Sequence, residues 1–158
     1  MSETLPAQPV PDALAVVVDA PLGLLALGMP GCAACMLLPA SLAEIRRARP
    51  GLRVAIGEFA GVADWALRED LLWPRGIHVS RSSVPALALL RDGAVVATRP
   101  GGGPAWVIDR WLGEHLGPGD APLPEVPTPA ELEALDALAG RVAHGVRVGR
   151  WRASTEGG

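Results

Sequence analysis

Cys32 and Cys35 are the only cysteines in the chain, and two residues, Ala33 and Ala34, separate them. A C-x-x-C pair suits reversible disulfide exchange or metal binding, and inert buried thiols are the third option. The thiolate is the reactive form of cysteine, so an exchange site must lower the pKa of one sulfur. If Cys32 begins a helix, free N–H groups and the positive end of the helix dipole stabilise its anion. Cys35 then lies one turn along, within reach of a disulfide. Gly31, just before the pair, leaves the approach open to a partner. Met29 adds a third sulfur that could serve a thiophilic ion such as Cu(I).

Little else in the sequence carries chemistry. There is no phosphate-cradling glycine loop, no G-x-S-x-G and no paired-carboxylate motif. His78 and His115 lie far from the cysteines in sequence and read as surface or core residues, so a zinc site lacks ligands. The formal charge of −3 gives no global field toward nucleic acid or anionic membrane. Arg141, His144, Arg147, Arg150 and Arg152 make the end of the chain basic, and this reads as a solvated tail. No basic residue precedes an apolar stretch near the N-terminus, so no secretory signal is expected. The apolar stretch from Leu22 to Leu38 is broken by Gly28, Pro30 and Gly31 and cannot span a bilayer as one helix. A cytoplasmic protein is therefore expected, and in that compartment a permanent structural disulfide is disfavoured.

The elements that must position the pair follow from pattern. With 158 residues, 49% of them apolar, the chain can build one domain with a core. The Pro-rich residues 1–11 are expected to be poorly ordered. Asp12 to Ala20 reads as a helix and Leu22 to Leu27 as a buried strand, because parallel strands need a longer connection. Cys32 to Arg49 reads as a helix with Leu38, Leu42 and Ile45 inside and Glu44, Arg46, Arg47 and Arg49 in water. A strand over Leu52 to Gly57 and a helix over Val62 to Leu72 follow, the latter with Trp65 and Leu72 on its apolar side. Pro85 to Thr98 reads as a β-hairpin with Asp92-Gly93 at its tip. Pro104 opens a helix whose inner stripe is Ile108, Trp111, Leu112 and His115. Residues 118–127 form a stiff Pro-rich linker. Thr128-Pro129-Ala130-Glu131 has capping-box spacing and starts a helix over 128–143 with Leu132, Leu135, Leu138 and Val142 on one face. That helix is too short to stand alone, so it should dock on the domain. Residues 144–158 complete the basic, flexible tail.

The segments LGLLALGMPGCAACMLLP and VPALALLRDGAVVATRPGG, in this order, resemble thioredoxin-family proteins over residues 12–117. The resemblance implies an α/β fold with a central mixed sheet, a C-terminal hairpin and flanking helices. It also implies a cis Val84–Pro85 bond facing the cysteines, with Val84, Pro85 and Gly31 holding the partner chain. The activity it implies is thiol–disulfide exchange on protein disulfides or thiols. Cys32 would attack, Cys35 would resolve, and no cofactor would be needed. A reductase or an assembly partner would complete the cycle. The sequence departs from the family pattern at several places. Gly31 replaces the usual tryptophan, Ala26 replaces the usual buried acid, and Pro39 comes four rather than five residues after Cys35. Glu58 could replace the missing acid through a water molecule. Two other functions stay open. One is a redox-silent thioredoxin-like binding protein, of the kind that assists hydrogenase assembly. The other is a Cu(I) carrier, since Met29 to Cys35 is similar to the Met-x-Cys-x-x-Cys loop of copper-carrying domains.

Overall fold

The computed structural model of the protein describes residues 5–145. The basic residues Arg147, Arg150 and Arg152 expected in the tail lie outside the described residues, as do the first four residues. Ten strands and α-helices run from β1 (Ala7–Pro9) and α1 (Val10–Val18) to β2 (Leu22–Gly28), α2 (Leu38–Ala48) and β3 (Arg53–Glu58). Then come α3 (Val62–Ala66), the hairpin β4 (Ala86–Arg91) and β5 (Ala94–Pro100), α4 (Ala105–Leu116), and α5 (Pro129–Gly145). One mixed sheet runs in the order β1-β3-β2-β4-β5.

β2 is central, and all of it except Leu22 is buried, which explains its continuous apolar run. Successive side chains leave opposite faces. Leu24 and Ala26 meet α2 and α4, while Leu25 and Leu27 meet α1 and the segment after β3. The packing of α1 on β2 is tight at Gly23, where an added Cβ would stand 2.6 Å from the Val17 carbonyl oxygen. Backbone cannot swing aside as a flexible side chain can. Gly23→Ala should therefore destabilise the fold by about 1–3 kcal/mol, read as a lower urea midpoint. An unchanged midpoint would mean that α1 shifts freely.

Five expectations from sequence need correction. Residues 7–9 are not loose: they pair in parallel with β3, Ala7 to Ile56 through Pro9 to Glu58. Pro9 is tolerated because β1 is an edge strand with one free side. The helix of Cys32 to Arg49 is not continuous; a 3₁₀ turn, Ala34–Leu37, precedes α2. Pro39 has no N–H to donate, and a start at Leu38 puts it in the first turn where none is required. Arg49 is not on the wet side. It caps α2 with φ −134° and ψ 75°, turns inward, and is 7% exposed. There its Nε donates to Asp109 at 2.8 Å and its Nη2 to the Gly117 carbonyl at 2.8 Å.

The segment from Val62 to Leu72 is also broken, into α3 and a π-helical turn over Arg68–Leu72, yet Trp65 and Leu72 are buried as expected. His115 does not join the inner stripe of α4: it is exposed and meets the edge of Trp111. α5 docks on α2 and on the 3₁₀ turn, so the Pro-rich stretch returns it to the domain.

Candidate functional site

The parallel pairing of β3 with β2 and the antiparallel pairing of β4 gather four chain segments at one end of the sheet. Gly28 ends β2 opposite Glu58, Ala86 pairs Leu27 and Pro100, and the turns beyond them carry the predicted site residues. From Gly28 the chain runs through Gly31, with φ +79° and no atom near its missing side chain, into Cys32. A left-handed φ of this kind suits glycine.

Cys32 and Cys35 are joined as a disulfide with Cα atoms 5.2 Å apart. Both are half-buried. The Cys35 backbone N–H donates to Cys32 Sγ at 3.1 Å. Cys32 thus stands just ahead of the 3₁₀ turn rather than inside a long helix, yet an amide at the turn's start still reaches its sulfur. Such an N–H favours an anionic sulfur over a neutral one. Cys35 packs against the core shared by α2 and α4, so the two sulfurs have different surroundings. Met29 packs with the opposite core, on the α1 side. Among the described residues, no three or more His, Cys, Asp or Glu side chains form a metal-holding group.

Gly28 has a role that sequence reading missed. A Cβ there would come 3.0 Å from Cys35 Sγ, so the missing side chain is the room Cys35 occupies. The sequence offered only a glycine before a turn as a signal. Because Glu58 pairs with Gly28, its side chain leaves the sheet on the same face as this space. Glu58 is half-buried at the strand end, while Ala26 is fully buried between Leu25 and Leu27.

On the other side, the Val84–Pro85 peptide bond is cis. The Pro85 carbonyl accepts from Gly101 N–H at 2.7 Å. Gly102 fits closely between Leu38 and Pro85, at 3.2 and 3.4 Å from where its Cβ would be. The glycines after β5 therefore let the Pro85 turn settle against the start of α2. Pro85 is buried and Val84 half-buried, whereas Gly31 is exposed.

No protein-family model matches the chain, and no curated protein matches it in sequence. Solved structures do match. Thioredoxin f2 from Chlamydomonas reinhardtii has a TM-score of 0.53 at 18% identity, over 72% of this chain and 98% of that one. The oxidised thioredoxin of Plasmodium falciparum has a TM-score of 0.52 at 12% identity, over 71% and 98%. Desulfothioredoxin from Desulfovibrio vulgaris Hildenborough, in its reduced form, has a TM-score of 0.52 at 19% identity, over 70% and 98%.

Proposed function

From a thioredoxin fold with two cysteines in the turn after its central strand, we propose a thiol–disulfide oxidoreductase acting on protein disulfides. The observation that carries this reading is the Cys32–Cys35 disulfide, with the Cys35 N–H on Cys32 Sγ. In the reduced protein, Cys32 thiolate attacks one sulfur of a partner disulfide, and the partner's other sulfur leaves as a thiolate that takes up a proton. Cys35 then loses its proton and attacks Cys32 Sγ, which releases the second partner thiol and closes the pair. Two electrons pass from the dithiol to the partner. An external dithiol or reductase must restore the pair, and a reducing compartment such as the cytoplasm suits that cycle.

Gly31, Val84 and Pro85 are the residues proposed to hold the partner chain. Glu58, which pairs with Gly28 and leaves the sheet on the face where Cys35 lies, is the residue proposed to take the Cys35 proton through a water molecule. Glu58→Gln should then slow the resolving step and leave the attack of Cys32 unchanged.

Alkylation with limiting iodoacetamide tests the roles of the sulfurs. On freshly reduced protein at neutral pH, Cys32 should be modified about tenfold faster than Cys35. Equal rates, or faster labelling of Cys35, would reverse the assignment. Reduction of insulin by dithiothreitol, with and without the protein, tests the activity itself. No acceleration, from a pair that never cycles between closed and open, would favour the redox-silent binding protein.

A further inference from the structure

The three glycines that seat Pro85 give their loop little shape of its own. Gly101 and Gly103 have φ of +83° and +116°, and glycine meets few steric limits there. One end of the loop is fixed, because the Gly101 N–H donates to the Pro85 carbonyl at 2.7 Å. The other end meets a buried polar pair. Ser41, in the first turn of α2, is completely buried. It shares its hydroxyl proton between the Gly103 carbonyl at 2.9 Å and Glu131 Oε2 at 2.8 Å. Past Pro104, the Ala105 N–H donates to the same Glu131 oxygen at 2.7 Å. Both backbone groups that flank Pro104 therefore end on Ser41 and Glu131. Gly102 packs against Leu38, which lies one turn before Ser41 on the same face of α2.

A contribution to stability alone does not call for this arrangement. Apolar side chains packed in the same space serve a core as well as a buried carboxylate does. A buried and fully hydrogen-bonded set adds a fixed geometry for the groups it holds. Here those groups belong to the loop beside Pro85. Glu131 belongs to α5, which also rests on the 3₁₀ turn that carries Cys35. We propose that Ser41 and Glu131 are positioning residues for the exchange reaction. They hold residues 101–103, and through them the Pro85 turn, at the place where a partner chain is received. The proposal rests on the exchange reading and on the role given there to Val84 and Pro85. It adds a task for α5, since the docking of this helix sets the partner groove. The hydrogen bonds of both side chains go to backbone and to each other, not to a sulfur, so the chemistry of Cys32 is left as it is.

Ser41→Ala removes a single oxygen and is the first variant. Glu131→Gln, which keeps the size of the side chain, is the second should the first not fold. Each is compared with the full-length wild type well below its melting temperature. In steady-state reduction of insulin, Ser41→Ala should raise KM about tenfold with kcat unchanged, as expected when only partner binding is loosened. Glu131→Gln should move KM the same way by less. The reduced proteins should react at wild-type rates with dithiobis-nitrobenzoate, a small disulfide that has no peptide chain to seat. Amide hydrogen exchange at Gly101 should quicken about tenfold relative to the amides of β2, which report global opening. A purely structural role would quicken both sets of amides alike and leave KM where it was, and that result would overturn the proposal. So would an equal loss with insulin and with the small disulfide, which would place the damage at Cys32. A wild type that leaves insulin intact would instead end the exchange reading, and this one with it.

Discussion

Cys32→Ser is expected to bring protein-disulfide reduction down to the uncatalysed background, a loss on the order of a thousandfold or more. A serine hydroxyl stays protonated at neutral pH and cannot form a mixed disulfide, so the first bond of the cycle never forms. Cys35→Ser should behave differently. Attack by Cys32 still occurs, the resolving sulfur is gone, and a covalent adduct with the substrate should accumulate that dithiothreitol dissolves. Insulin turnover and non-reducing electrophoresis read the two outcomes. If Cys32→Ser keeps its activity, or if Cys35→Ser forms no adduct, the proposed reaction is wrong. Both variants leave the core unchanged apart from one sulfur, so loss of fold is not the expected cause of either result.

Removing the carboxylate of Glu131 should have the largest effect on stability. Glu131 is completely buried. Its Oε2 accepts from the Ala105 N–H at 2.7 Å and lies 2.8 Å from Ser41 Oγ, while its Oε1 accepts from Thr128 N–H at 3.0 Å. The same side chain therefore ties α5 to the first amide of α4 and to the first turn of α2. At that helix N-terminus, its negative charge is also favoured by the dipole of α4. Glu131→Ala strands several donors at once, at about 1–3 kcal/mol for each one that water fails to reach. A total near 3 kcal/mol would lower Tm by roughly 10 °C for a chain of this size. Glu131→Gln keeps one acceptor and sets an amide N–H₂ against a donor, so it should fall between wild type and alanine. Truncation after Pro118 removes α5 altogether and should also lower Tm. A truncated protein that melts with the wild type would show that α5 adds nothing to the fold.

The elements near the cysteines could be read from sequence because their signals are local. An apolar run between Pro21 and the glycines after it makes a buried strand. Asp92-Gly93, with φ +52° and +82°, makes the tip of the hairpin. Thr128 and Glu131 make the reciprocal cap at the start of α5, with the Glu131 N–H on Thr128 Oγ1 at 3.3 Å. The spacing of Cys32 and Cys35 by itself defined the chemistry they could share. Local pattern could not show what distant residues would do. Leu132 had been expected inside α5 and is 49% exposed, while Glu131, one position earlier, is fully buried. That rotation follows from Ser41, ninety positions away in sequence, and from the open amide of Ala105. Arg49 is buried for the same kind of reason, since Asp109 lies sixty positions on. The prolines near the N-terminus discouraged a strand, and only the free edge of β3 made one possible. Periodicity records which face of a segment avoids water. Which charge finds a partner inside, and which glycine leaves room for a sulfur, depends on contacts that only the folded chain brings together.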